Sequence, residues 1–203
     1  MKILVIGGTG LIGATVVDLL KEKNKDAQII VAGFSNGDIK VDISSEKSIK
    51  AMYEKIGKLD AVVMTTGKVK FAALKDLSVD DYTLGLDNKL MGQVNVVKIG
   101  LDYMNDGGSF TLTSGILNIE PIYMGASAAM VNGAIDGFVT ASAIEMPRGI
   151  RINSVSPTVV TEALGKYDAF FPGFEPVSVN TVASAYRKSI SGLSTGKIIR
   201  VGY

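Results

Sequence analysis

The sequence predicts an α/β fold in which a doubly wound parallel sheet forms the middle of three layers, with helices on both faces. Two observations support this prediction. Short β-rich runs alternate along the chain with segments whose apolar residues have helical spacing. No change of composition, proline-rich linker or internal repeat divides the 203 residues, so we expect residues 1–203 to form one domain.

Six short segments are predicted to be strands of this sheet. The first, Lys2–Ile6, is a nearly continuous apolar run, which is typical of a strand buried on both faces. The other five lie between helical patterns: Gln28–Ala32, Ala61–Met64, Ser109–Thr113, Ile150–Val155 and Lys197–Val201.

Five segments are predicted to be helices. The first follows the first strand and has apolar residues at Ile12, Val16, Leu19 and Leu20. The second covers Ser45–Ile56, with Ser44 or Ser45 as its N-cap. A long amphipathic helix is predicted by the spacing of Leu86, Leu90, Val94, Val97, Leu101 and Met104. Two more are the apolar stretch Ile122–Ile144, which stops before Pro147, and Val179–Ile190.

The edge of the sheet is harder to predict. Only Phe34–Asp38 separates the second strand from a possible further strand, Ile39–Asp42. A crossover between parallel strands normally takes a dozen residues or more, whereas Asn36-Gly37 suits a tight hairpin. Either the edge of the sheet is very short, or the chain turns there in a tight hairpin, unlike the usual doubly wound sheet.

The composition excludes several kinds of chemistry. The chain contains no histidine and no cysteine, so it has no Ser-His-Asp or Cys-His machinery, no disulfide and no usual zinc site. We expect no bound metal. A net charge of +1 gives no electrostatic footprint for nucleic acid or for a membrane surface. Asn132 and Asp136 inside the apolar stretch favour a buried helix over a membrane span. We expect a cytoplasmic protein without a membrane partner.

A glycine-rich turn joins the first strand to the first helix. Gly7-Gly8-Thr9-Gly10-Leu11-Ile12-Gly13 contains G-x-x-G-x-x-G, directly after an apolar strand and directly before a helical pattern. Glycines at these places allow a tight turn and let backbone N–H groups approach a pyrophosphate at the N-terminus of the helix. A plain strand–helix turn is the alternative interpretation.

Further motifs make the chain resemble the short-chain dehydrogenase/reductase family along nearly its whole length. LDAVVMTTG (Leu59–Gly67) resembles the family strand that ends in N-N-A-G, and GGSFTLTSG (Gly107–Gly115) resembles the strand that delivers the catalytic serine, here Ser114. PRGIRINSVSPTVVTEAL (Pro147–Leu164) resembles the sixth strand and the P-G-x-V loop that holds the nicotinamide, and STGKIIRV (Ser194–Val201) the last strand. The resemblance implies a Rossmann-like fold and an oxidoreductase that uses NAD(P).

The resemblance also implies which residues bind the cofactor. An acidic residue at the end of the second strand would favour NAD, but the chain has Gly33-Phe34-Ser35-Asn36 there and no carboxylate before Asp38. We therefore expect NADP(H) rather than NAD(H), although no Arg or Lys is adjacent in the sequence. The expected cofactor-binding residues are Gly7, Thr9, Gly10, Leu11, Ile12, Gly13, Ser35, Asn36, Asp42, Ile43, Thr66, Gly67, Pro157 and Val160.

The family's catalytic Tyr-x-x-x-Lys pair is missing. Alignment through Val131-Asn132-Gly133 puts Met124 at the tyrosine position and Ala128 at the lysine position. Lys89 stands where the family has an asparagine, with Asn88 one place away. The chain therefore suggests a rearranged site of Ser114, Tyr123 and Lys89. The alternative is that Tyr123 is a packed aromatic residue and Lys89 a solvated charge.

Two functions remain open from the sequence. The first is an NADP(H)-dependent oxidoreductase with an atypical site that acts on a small molecule, for example a quinone or an activated alkene. The second is a dinucleotide-binding protein without turnover, such as a redox sensor or partner subunit; a purely structural role is weaker. The aromatic residues of Phe170–Phe174 either line an apolar pocket or anchor a loop. Small residues on the Ile122–Ile144 helix suit a homo-oligomer, a dimer or tetramer.

Overall fold

The computed structural model describes all 203 residues and contains one sheet of seven parallel strands. The order is β3-β2-β1-β4-β5-β6-β7. Their bounds are β1 Lys2–Ile6, β2 Gln28–Gly33, β3 Ile39–Lys40, β4 Leu59–Met64, β5 Met104–Thr113, β6 Arg151–Pro157 and β7 Ile198–Val201. The predicted doubly wound, Rossmann-like parallel sheet is thereby confirmed, since the strand order reverses at β1 and β4.

Helices cover both faces of the sheet. Their bounds are α1 Leu11–Lys23, α2 Glu46–Ile56, α3 Val79–Gly85, α4 Gly92–Gly100, α5 Ala126–Ser142, α6 Leu164–Tyr167 and α7 Val179–Ser191. The side chains of β1 alternate between the two faces, as the pleat of a strand requires. Leu4 and Ile6 pack in the core beneath α2, α4 and α5, whereas Ile3 and Val5 pack in the core beneath α1 and α7.

The edge strand β3 is very short and runs parallel to β2. Ala32 pairs with Ile39 and Gly33 with Lys40, so the hairpin alternative is wrong. The connection Phe34–Asp38 holds no helix. Asp38 closes it, because its N–H donates to the carbonyl of Val31 and its carboxylate accepts from the Val31 N–H. Because the connecting loop is so short, only two residues of β3 pair with β2.

The predicted long amphipathic helix begins earlier than expected and changes its hydrogen-bond pattern. It starts at Val79, where Ser78 and Asp81 form a capping box. Between α3 and α4 the segment Leu86–Met91 is π-helical, and a 3₁₀ turn at Leu101–Tyr103 follows α4. A π turn carries one extra residue, so it rotates the side chains on either side relative to a regular helix. The π turn could not be predicted from the sequence, because the apolar residues keep the three- and four-residue spacing of a regular α-helix.

The apolar stretch forms α5, and only one of its faces is buried. Val131, Ile135 and Val139 lie in the core, whereas Met130 is 42% exposed and Ile144, two residues beyond the helix, is 90% exposed. The helix begins at Ala126, four residues later than predicted. None of the helices combines the length and the apolar character that a membrane crossing requires.

Candidate active site at the carboxyl ends of the strands

The glycine turn leaves the first amides of α1 free for an anion. Gly7 has a φ of 84°, which favours glycine, and a Cβ on Gly13 would lie 2.1 Å from the Gly7 carbonyl oxygen. The two glycines therefore allow the close contact between the turn and the helix. Gly10 is the N-cap, and no side chain caps α1. Its N-terminus is thus open to a phosphate group.

A cavity of about 930 Å³ lies beside this turn, at the carboxyl ends of β1, β2 and β4. Eight of the predicted cofactor-binding residues line it: Gly7, Thr9, Gly10, Ser35, Asn36, Asp42, Ile43 and Thr66. The remaining wall includes the loop after β4 and the start of the long helix. We call this space the dinucleotide cavity. Its position is the switch point at which open α/β sheets bind their ligands.

A second cavity, of about 390 Å³, adjoins the first at Thr65, and here it is called the inner cavity. Predicted cofactor residues Leu11, Ile12, Pro157 and Val160 line it, together with Ser114, Ala128, Asn132 and apolar side chains from several loops. Lys89 is the only charged residue in its wall. Gly13 and Gly67 line neither cavity.

Lys89 places its ammonium group in the wall of the inner cavity. Nζ donates to Oδ1 of Asn132 at 2.7 Å and to the carbonyl oxygen of Ser114 at 3.1 Å. An ammonium has three N–H donors, so one remains for another partner. Burial lowers the pKa of Lys89 to about 8, and the charge of Asp136 opposes this shift. The group can therefore hold or release a proton near neutral pH.

The structure around Lys89 fixes this position. The residue belongs to the π-helical segment, and its carbonyl oxygen accepts from the side-chain amide of Gln93 at 3.1 Å. Gln93 is fully buried and also bonds to both backbone groups of Thr113 at the end of β5. Gly67 gives room to the lysine stem, because a Cβ there would lie 2.5 Å from Cγ of Lys89. Lys89 is consequently held in place beside the strand that precedes Ser114.

Ser114 lies next to Lys89 but turns its hydroxyl away from solvent. The residue is 4% exposed, and its Oγ has no hydrogen-bond partner. Its N–H donates to the carbonyl of Val155 on β6, which fixes the backbone. The residue lines the inner cavity, and its hydroxyl is bonded to no protein group.

Tyr123 does not join Ser114 and Lys89, contrary to the predicted three-residue site. Its side chain is 77% exposed and lines a separate cavity with Pro121 and Phe170. The physical reason is the late start of α5. Tyr123 and Met124 lie in a turn before the helix, and Met124 has a φ of 65°, which directs the chain differently from a helical path. The structure brings together Ser114 and Lys89 only.

Met124 and Ala128, which the sequence alignment puts at the family's tyrosine and lysine positions, line two different cavities. Ala128 is buried and lines the inner cavity, and Asn132 lies one helical turn beyond it on α5. The ammonium that bonds to Asn132 therefore lies beside α5, although Lys89 belongs to another helical segment. Met124 lines the separate cavity with Tyr123.

Sequence reasoning missed several residues of the site. Asn132 was used there to align the motif and to favour a buried helix, not as a site residue, and nothing in the sequence indicated the role of Gln93. Tyr167, on α6, is the only tyrosine in the wall of the inner cavity. Lys68 lines the dinucleotide cavity from the loop after β4. A search for polar residues directly after strand ends could have found Lys68, because such residues meet at one edge of a parallel sheet.

Comparison with known proteins identifies the family. A family model described as enoyl-(acyl carrier protein) reductase matches residues 12–186. The chain therefore belongs to the short-chain dehydrogenase/reductase family of oxidoreductases, as its motifs suggested.

The chain is also similar to individual proteins. The bifunctional ribulose 5-phosphate reductase/CDP-ribitol pyrophosphorylase Bcs1 of Haemophilus influenzae is 30% identical over 98% of this chain and 42% of its own. The crystal structure of protein lin1944 from Listeria innocua has a TM-score of 0.96 and 48% identity, with 98% of both chains covered. A small-chain dehydrogenase in complex with NADPH has a TM-score of 0.87 and 29% identity, covering 99% of this chain and 96% of that one. The chain spans about half the length of the curated relatives it matches.

Proposed function

We propose that the protein is an NADP(H)-dependent oxidoreductase that reduces small uncharged carbonyl compounds, with Lys89 in place of the family's Tyr-x-x-x-Lys pair. The observation that carries this proposal is the position of the Lys89 ammonium. It lies in the wall of an otherwise uncharged cavity, bonded to Asn132 and Ser114, at the inner end of the dinucleotide cavity.

The residues present fit a dinucleotide. The pyrophosphate would lie against the free amides of the first turn of α1, since the Gly10 N–H already donates to the carbonyl oxygen of Gly7. Gly7 and Gly13 let the turn pack closely against α1 and the end of β4. Asp42 and Ile43 would flank the adenine, and Pro157 and Val160 would hold the nicotinamide at the inner cavity. The similar small-chain dehydrogenase in complex with NADPH supports this assignment.

Lys89 would serve the reaction in two ways. When bound, NADPH supplies a hydride to the electrophilic carbon of the substrate. The Lys89 ammonium donates a proton to the oxygen that gains the electron pair of the C=O bond, and solvent then returns a proton to the amine. Before that step its charge stabilises the developing alkoxide. A pKa of about 8 suits both roles near neutral pH.

The wall of the inner cavity limits the substrate. Twelve of its 20 residues are hydrophobic, among them Phe71, Ile116 and Phe171. Such a wall favours aliphatic or aromatic carbonyl compounds, quinones and enones. A phosphorylated sugar needs cations for its phosphate, and Lys89 is the only one here, already committed to the reacting oxygen. We therefore do not transfer the ribulose 5-phosphate substrate of the Haemophilus influenzae relative to this chain.

A second candidate function is dinucleotide binding without turnover. It is favoured by Met124 and Ala128 at the usual catalytic positions and by the enclosed hydroxyl of Ser114. In that case the dinucleotide would regulate a partner, and the protein would act as a redox sensor or partner subunit.

Titration with NADPH and NADH, followed by a screen for NADPH oxidation, separates these functions. The screen covers aldehydes, ketones, quinones and enones, with phosphorylated sugars as the contrasting group. We expect turnover with uncharged compounds only, and its loss in Lys89→Met. Tight binding without any turnover would support the sensor instead. Tyr167→Phe tests the one tyrosine in the cavity wall, and we expect it to retain the activity.

We further propose that the protein forms a homodimer through α5. The exposed face of α5 carries no charge and consists of Ala126, Met130, Ala134, Gly137, Thr140 and Ala141; Ile144, beyond the helix end, is also exposed. Small residues let two helices approach closely, and an uncharged helix face suits a two-fold interface in which the same patch meets itself.

A further inference from the structure

The end of β2 is where a dinucleotide presents the 2′-oxygen of its adenine ribose. In this chain the loop there is Phe34–Gly37, which offers Ser35 and Asn36 as hydrogen-bond donors but no cation of its own. The other charged residues around the dinucleotide cavity are acidic: Asp42, Asp80 and Asp87. A phosphate with two negative charges needs a cation to enter such a place.

Lys68 supplies the only cation in the wall of the dinucleotide cavity. Its backbone lies after β4, on the opposite side of the cavity from β2. Its Nζ lies 5.5 Å from the centre of the Phe34 ring, which also lines the cavity. The ammonium therefore contacts the side chain of the first residue after β2 by a weak cation–π interaction that a phosphate can replace.

The backbone of Lys68 is fixed by a hydrogen bond, whereas its ammonium group has no carboxylate partner. The N–H of Lys68 donates to Oδ1 of Asn88 at 2.8 Å, and the side-chain amide of Asn88 donates to Oγ of Ser44 at 2.9 Å. These bonds tie the loop after β4 to the long helix and to the loop before α2. The Lys68 ammonium itself has no carboxylate partner within salt-bridge distance. It is available to a ligand.

We propose that Lys68, together with Ser35 and Asn36, forms the site for the 2′-phosphate and so sets the preference for NADP(H). This inference rests on the proposed function, since it assigns a role within the same dinucleotide cavity. The cation reaches the phosphate from the β4 side, which explains why the residues next to β2 in sequence contain no Arg or Lys.

The test is the ratio of the dissociation constants for NADPH and NADH, measured by fluorescence titration. We expect Lys68→Met to weaken NADPH binding by about tenfold or more and to leave NADH binding within about twofold. Lys68→Arg should keep the preference. Lys70→Met is the matched control, because Lys70 is exposed on the same loop but does not line the cavity. Adenosine 2′,5′-bisphosphate should lose competition in Lys68→Met, and adenosine 5′-monophosphate should not.

The outcomes that overturn the inference are distinct from failure of the proposed function. An unchanged NADPH-to-NADH ratio in Lys68→Met, with NADPH still bound, overturns the role of Lys68 alone. Equal weakening of both dinucleotides does so as well, because it assigns the lysine to a phosphate that they share. If the wild-type protein binds neither dinucleotide, both the proposed function and the role of Lys68 are refuted.

Discussion

The ammonium of Lys89 donates to Oδ1 of Asn132 at 2.7 Å, one turn of α5 beyond Ala128. The ammonium comes from the π-helical segment before α4 and lies beside α5 in the wall of the inner cavity. We propose that this cation replaces the lysine that the family carries on this helix. The following predictions test the relocation and its consequences.

Replacing Lys89 by Met should remove the proton source. We expect kcat for carbonyl reduction to fall by about a hundredfold or more, in the range that general acid catalysis contributes. The stem of methionine still fills the space beside Gly67, so the fold should persist. Lys98→Met, on an exposed part of α4, is the control and should leave kcat unchanged. A Lys89→Met enzyme with normal kcat would refute the role of this residue.

The pH profile should report the titration of Lys89. Burial lowers its pKa to about 8, and Asp136 is the charged group that acts on it in the opposite direction. The protonated ammonium is the acid, so the reduction rate should be constant below pH 8 and fall as the pH rises above it. Lys89→Arg should lose this fall, because arginine stays protonated. An identical profile in both proteins would assign the fall to another group.

Adding a methyl group at Gly67 should displace Lys89 without removing its charge. The new Cβ would lie 2.5 Å from Cγ of the lysine, and Gly67 has a φ of 151°. We expect a strong loss of kcat together with about 1–3 kcal/mol of destabilisation from the strained backbone. Gly107→Ala is the control, because Gly107 has a φ of 72° with no neighbouring atom near the new Cβ. Equal kinetic loss in both variants would contradict a specific effect on Lys89.

The dimer proposal predicts that a charge on α5 separates the protomers. Ala134→Glu puts a carboxylate on the uncharged face, where the two-fold axis would bring it close to its own copy. Sedimentation equilibrium should give a dimer for the wild type and a monomer for this variant. Ala51→Glu, on the exposed face of α2, should remain a dimer. A monomeric wild-type protein would rule the interface out.

The fold could be predicted from the sequence because each of its main elements has a local signal. The apolar run of Lys2–Ile6 and the glycine turn after it predicted β1 and the start of α1, and both were found. The direction of the edge strand β3 had no such signal. Its two paired residues are held by the Asp38 contacts with Val31, which only the folded loop creates.

The site was less predictable, for physical reasons that differ between residues. The π turn at Leu86–Met91 changes the direction of Lys89 without changing the apolar spacing. Tyr123 was expected on a helix that starts three residues after it. Lys68 and Phe34 are distant in sequence and meet only because β2 and β4 both flank β1. Long-range contacts of this kind require the sheet order, which the motifs alone do not give.

The most direct test of the central claim is the oxidation of saturating NADPH by uncharged quinones, enones and aldehydes across pH 6–10, in the wild-type protein and in Lys89→Met. The account predicts turnover by the wild type that declines above pH 8 and is reduced about a hundredfold or more by the substitution. NADPH binding without turnover of any compound, or equal turnover by both proteins, would contradict it.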